Sequence, residues 1–70
     1  MSVSVGRAKL MTALKTLHTR WKRARTDWND RVAVDFENEF IEPLEQKIRR
    51  GIAAMENIRE VLDRARRDCE

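Results

Sequence analysis

Helix-breaking residues are almost absent from this chain: it has one proline, Pro43, and two glycines, Gly6 and Gly51, in 70 residues. A many-stranded fold needs more turn residues than that, so it is excluded. There is no tyrosine, and there is one histidine, His18, and one cysteine, Cys69. A lone cysteine excludes an intramolecular disulfide and fits a reducing compartment. One histidine and one cysteine are too little for a nucleophile–base pair, and no glycine-rich loop exists to cradle a phosphate. The Glu-x-x-His pairs of helical di-iron centres are missing too, because Lys15 stands three residues before His18. Asp35, Glu39 and Glu42 share a helix face, which reads as solvated acid rather than a metal site. No enzymatic activity, metal or cofactor is expected. No apolar run approaches the roughly 20 residues that span a bilayer, and MSVSVGRAKL at the start lacks the apolar core of a signal peptide. A cytoplasmic chain with no membrane partner is the expectation.

What remains is helical. Apolar residues make up 41% of the chain and charged residues 39%, a balance that supports a folded domain. Ala, Leu, Glu, Lys, Arg and Met predominate, and all favour helix. Leu10, Leu14, Leu17, Trp21, Ala24 and Trp28 step by four and three, the spacing of one coiled-coil seam. A second seam runs Leu44, Ile48, Gly51, Met55, Ile58, Leu62, Ala65, Cys69, widened by Ile52. Ser4 is the expected cap of the first helix. Between the seams, Val32, Phe36 and Phe40 step by four, so their stripe drifts around the helix and the chain must stutter or bend.

Two places suit the bend. Thr26-Asp27-Trp28-Asn29-Asp30 is rich in residues that prefer caps and turns. Ile41-Glu42-Pro43 is the other, because proline disfavours helical geometry before it and suits the first turn of a new helix. A bend at 41–43 gives arms of similar length, a helix over about 5–40 and another over about 43–69. It pairs Phe40 with Leu44, Phe36 with Ile48, Trp28 with Met55, and Trp21 with Leu62. That is the favoured arrangement, with a bend at 28–30 as the alternative. Either gives an all-α antiparallel two-helix hairpin in a single domain. A hairpin has one interface, and so small a chain rarely stabilises itself through one core. Dimerisation into a four-helix bundle is therefore expected.

Charge is segregated. Residues 1–26 hold seven basic side chains and no acidic one, whereas residues 27–46 hold seven acidic side chains and only Arg31. A hairpin bent near 42 would have an acidic tip and a basic open end, favouring antiparallel pairing of two copies. The basic run KTLHTRWKRAR raises nucleic-acid binding as the alternative function. Its cations spread around the helix, however, and Trp21 belongs to the apolar seam, so weak, salt-sensitive binding at most is expected.

WNDRVAVDFENEF, residues 28–40, resembles the Trp-x-Gly region of the WXG (ESAT-like) proteins, small helical hairpins of type VII secretion. Members carry Trp-x-Gly between two helices, often followed about eight residues later by an aromatic in a phrase like Phe-Glu-x-x-Phe. Here Trp28, Phe36, Glu37 and Phe40 match, and the resemblance extends over roughly residues 10–69. Asp30 stands where the family has glycine, the chain is shorter than usual, and the Tyr-x-x-x-Asp/Glu export signal of the actinobacterial members is missing. The resemblance implies a bend at 28–30. It also implies a secretion-related substrate or adaptor, exported without a cleavable signal peptide, whose partners are a secretion-system component or a paralogous hairpin. The expected function is a non-enzymatic protein–protein interaction module acting as a helical homodimer. Trp21, Trp28, Asp30, Phe36, Phe40, Met55 and Leu62 are the residues expected to carry packing and interaction.

Overall fold

The structure, a computed structural model, describes residues 2–69. Helix α1 spans Val3–Asp27. Its cap is Ser2, whose hydroxyl accepts the Val5 N–H at 3.1 Å; Ser4, the expected cap, lies inside the first turn. A hydroxyl two residues upstream does the same work and admits one more half-turn of helix. The helix ends where Trp28 turns to extended geometry (φ −129°, ψ 98°) while its N–H still reaches the Ala24 carbonyl at 3.0 Å. Asp30 is also extended (φ −103°), and its Oδ1 accepts the Ala33 N–H at 2.9 Å. That bond caps α2, Arg31–Phe36. The chain then stays helical through a π turn, Glu37–Ile41, and into α3, Glu42–Cys69.

The bend favoured at 41–43 is absent, and the chain reverses at 28–30. Pro43 sits inside a continuous helix. An interior proline ordinarily costs about 3 kcal/mol, because its ring meets the preceding turn and its N–H is lost. Just before Pro43 the helix is widened, with the Glu42 N–H bonding the Glu37 carbonyl five residues back. That widened turn gives the ring room, while the Asp30 cap makes 28–30 the better place to stop one helix and start another. No residue of the turn takes a positive φ, so aspartate serves at position 30 without strain.

The bend position resets every pairing. At about 1.5 Å per residue, residues 31–69 form a rod about 58 Å long, matching the 59 Å long dimension of the molecule. Helix α1 runs antiparallel to it. Trp21 meets Glu37, His18 meets Glu45, Leu10 lies against Gly51, Arg7 against Glu56 and Gly6 against Met55. The expected pairs Phe36–Ile48, Trp28–Met55 and Trp21–Leu62 therefore do not form. Phe40 and Leu44 lie one turn apart along the same helix instead of facing each other across a bend. Ser2 and Val3 lie beside Arg59 and Leu62, so the last turns of α3 run past the start of α1. The acidic tract now lies along the basic second half of α1 within one hairpin. An acidic tip facing a basic open end, expected from the sequence, is thereby replaced by charge complementarity inside the chain.

Candidate interaction surface

Four aromatic residues gather where α1 meets the turn. The Trp21 and Trp28 rings stand edge to face with centroids 6.0 Å apart, and Phe36 lies 5.4 Å from Trp21 and 6.1 Å from Trp28. Phe40 extends the cluster, 5.2 Å from Phe36. Aromatic pairs at these separations add about 0.5–1.5 kcal/mol each beyond their area burial. The Trp21 indole N–H donates to Glu37 Oε1 at 2.7 Å, which satisfies the polar edge of a half-buried ring. Of the residues expected to matter, Trp21, Trp28, Phe36 and Phe40 are thus brought together, and Asp30 caps the helix beneath them. Met55 is elsewhere, packed on Gly6. Leu62 is exposed near the start of α1.

The row that faces α1 is Ala33, Glu37, Ile41, Glu45, each four residues from the last. Ala33 is fully buried, and Ile41 and Glu45 are each 8% exposed. An ordinary helix would rotate residues spaced by four off one face by about 40° per step. The π turn takes up that drift and keeps Glu37, Ile41 and Glu45 against α1. The row beside it, Val32, Phe36, Phe40, Leu44, is held straight by the same device and faces outward.

Of the two carboxylates in the buried row, Glu37 enters the sequence reading only through the family resemblance, and Glu45 is not singled out there. Glu45 Oε1 lies 3.3 Å from His18 Nδ1, and its Oε2 lies 3.8 Å from the Arg49 guanidinium. Both partners are more than half exposed, so these contacts stand at the rim, in reach of water. Glu37 and Glu45 sit in step with Ala33 and Ile41, a four-residue repeat that was the available signal. His18 is not isolated on a boundary, as its neighbours in sequence suggest, but bridges the two helices. Cys69 lies 24 residues beyond Glu45 on α3, about 36 Å of helix, and so cannot approach His18.

The two long sides of the hairpin differ. One carries a shallow groove lined by Met11, Leu14, Lys15, His18, Arg49 and Ile52, together with the Arg7–Glu56 pair at 3.1 Å. The other carries the outward aromatic row and, farther along α3, Ile58 and Leu62, all exposed. Among the described residues no helix is long and apolar enough to cross a membrane. No protein-family model matches the chain, and no curated protein or solved structure matches it either.

Proposed function

We propose that the chain is a non-enzymatic protein–protein interaction module that works as a homodimer, two hairpins closing a four-helix bundle. One observation carries this reading. Among the described residues the buried apolar side chains are Ala33 and Ile41, whereas eleven large apolar side chains are exposed, Phe40 and Leu44 among them. A hairpin that leaves this many large apolar side chains partly in water gains stability by covering them with another protein. The Trp28–Phe40 resemblance adds a biological direction: a WXG-like substrate or adaptor of a secretion system, pairing with itself or with a paralogous hairpin. Sedimentation velocity at micromolar concentration tests the assembly. The expected species has twice the chain mass of 8.3 kDa, and a stable monomer refutes the reading. For the secretion role, a neighbouring gene for an FtsK-type secretion ATPase is expected, with export lost when that gene is deleted.

A further inference from the structure

Self-association of a hairpin leaves open which of its two long sides is covered, and the sides are chemically opposite. At about 100° of rotation per residue, Leu44, Gly51, Ile58 and Leu62 fall in a strip about 40° wide on one side of α3. Glu45, Arg49, Ile52 and Glu56 fall on the other side, about 130° away by the same rotation. Ile48 and Met55, half-buried beside α1, lie between the two strips. Helix α1 repeats the division. Gly6, Leu10, Ala13, Leu17 and Ala24 face the first side and carry no charge. Arg7, Met11, Lys15, His18 and Lys22 face the second.

The three side-chain contacts to a carboxylate nearest the helix–helix seam share this sidedness. Arg7–Glu56, His18–Glu45 and Arg49–Glu45 all belong to the charged side. On the apolar side Phe40 is 58% exposed, Leu44 45%, Ile58 49% and Leu62 52%. By the same rotation Lys47 on α3 and Lys9 and Arg20 on α1 flank the strip, and Arg59, Asp63 and Arg66 lie beside Leu62 at its far end.

The area is that of an interface. A compact monomer of 8.3 kDa exposes about 4,600 Å² by the usual mass scaling. This hairpin exposes 5929 Å², an excess on the order of 1,300 Å². A standard protein interface removes about 800 Å² from each partner, so one contact of ordinary size brings the chain near a typical monomer's exposure. The small, exposed residues Ala13 and Ala24 leave the apolar side of α1 flat enough for another helix pair to approach closely.

We infer that the apolar side, through Phe40, Leu44, Ile58 and Leu62, is where a second copy of this chain docks, and that the ion-paired side stays in water. This rests on the homodimer reading and fixes its face. Covering the other side would bury Lys15 and Arg49 against the same two cations of the partner, which like charge disfavours. The strip itself, Phe40, Leu44, Ile58 and Leu62, carries no charge and can meet its own image across a two-fold axis.

The test compares Phe40→Glu and Leu62→Glu with Met11→Glu, an exposed residue on the charged side, by sedimentation equilibrium of the full chain. The first two are expected to weaken the dimer by at least about tenfold, and Met11→Glu by less than about threefold. So small a chain has little core to hold it once dissociated, and the wild-type protein therefore supplies an independent measurement. A neutral soluble gadolinium chelate should broaden the Met11 methyl signal several-fold more than those of Leu44, Ile58 and Leu62. A dimer that Met11→Glu dissociates, or equal broadening at all four methyls in a dimer, overturns the assignment of the face while the homodimer reading stands. A monomeric wild-type chain overturns both.

Discussion

The two halves of the hairpin are held by different means. Near the turn, α1 and the rod of residues 31–69 share four aromatic rings, a fully buried alanine, a capping aspartate and a 2.7 Å indole–carboxylate hydrogen bond. At the open end the contacts are Met55 on Gly6, Leu10 on Gly51 and a half-exposed Arg7–Glu56 pair. The same two helices are thus dense at one end and sparse at the other. A three-residue turn also makes closure cheap in entropy for the residues next to it, and less so for the distant ends. The hairpin should therefore order from the turn and fray from the open end, and whatever covers its apolar side should matter most far from the turn.

The largest effect should come from Trp21→Ala. Truncating a buried aromatic costs about 3–5 kcal/mol. Trp21 is half-buried, touches two other rings and loses its bond to Glu37, so a loss of about 3 kcal/mol is expected on that scale. Met55→Ala at the open end removes a half-buried side chain with fewer neighbours and should cost about half as much. Urea unfolding followed by circular dichroism reads both, at one protein concentration because association shifts apparent stability. Equal losses at the two positions would break the contrast between the halves.

Asp30→Ala comes next. It leaves the Ala33 N–H without its acceptor and should cost about 1 kcal/mol, as cap removal usually does. The same substitution at Ser2, the cap at the open end, should cost less, since the first turn of α1 is already loosely held. Asp30→Gly is informative in another way. No positive φ occurs in the turn, so glycine there gives no conformational relief. It should cost a few tenths of a kcal/mol relative to aspartate.

How much of this was legible in the sequence depends on the residue. The helical content and the seam of α1 followed from spacing, and Trp21, Trp28, Phe36 and Phe40 were named before they were seen to meet. Asp30 was legible as a turn residue. Pro43 misled, because a proline after an acidic stretch looks like a helix start, and its accommodation depends on the π turn of residues 37–41. The clue to that turn was present: apolar residues at 32, 36 and 40, and again at 33, 37, 41 and 45 with two glutamates among them, step by four where an α-helix wants 3.6. That excess is what a wide turn absorbs. Pairing Leu62 with Trp21 requires arms of similar length. Once the turn moves to 28–30, the arms are unequal, and the second seam serves two surfaces. Ile48, Gly51 and Met55 face α1, and Leu44, Ile58 and Leu62 face outward. A seam read from sequence shows that a stripe is covered without showing what covers it.

A smaller effect of opposite sign is expected at Gly51. An added Cβ there would lie 3.4 Å from Leu10 Cδ1, an ordinary contact, and the backbone is helical. Gly51→Ala should stabilise the hairpin by up to about 1 kcal/mol, the helix-propensity gain. It also probes the covered side, because Gly51 lies in the apolar strip. A variant that melts higher yet dimerises more weakly would show that the bare glycine serves the approach of a second copy, and one that gains on both counts would show that it does not.

The smallest effect belongs to the Arg7–Glu56 pair, which is the only ion pair joining the helices at the open end among the described residues. Its side chains are 29% and 55% exposed, so water screens the attraction and the long side chains lose freedom in holding one geometry. Pairs of this kind contribute about 0.2–1 kcal/mol by double-mutant cycle, and the lower part of that range is expected here. Arg7→Ala, Glu56→Ala and the double variant, compared at low and at about 0.5 M salt, give the coupling and its screening, since the Debye length falls below about 5 Å at that ionic strength. The coupling should nearly vanish in high salt, whereas the cost of Trp21→Ala should not change. A coupling above about 1 kcal/mol that survives salt would place Arg7 and Glu56 in a desolvated contact. In that case the open end would be held as firmly as the turn, and the partner would reach around to the charged side.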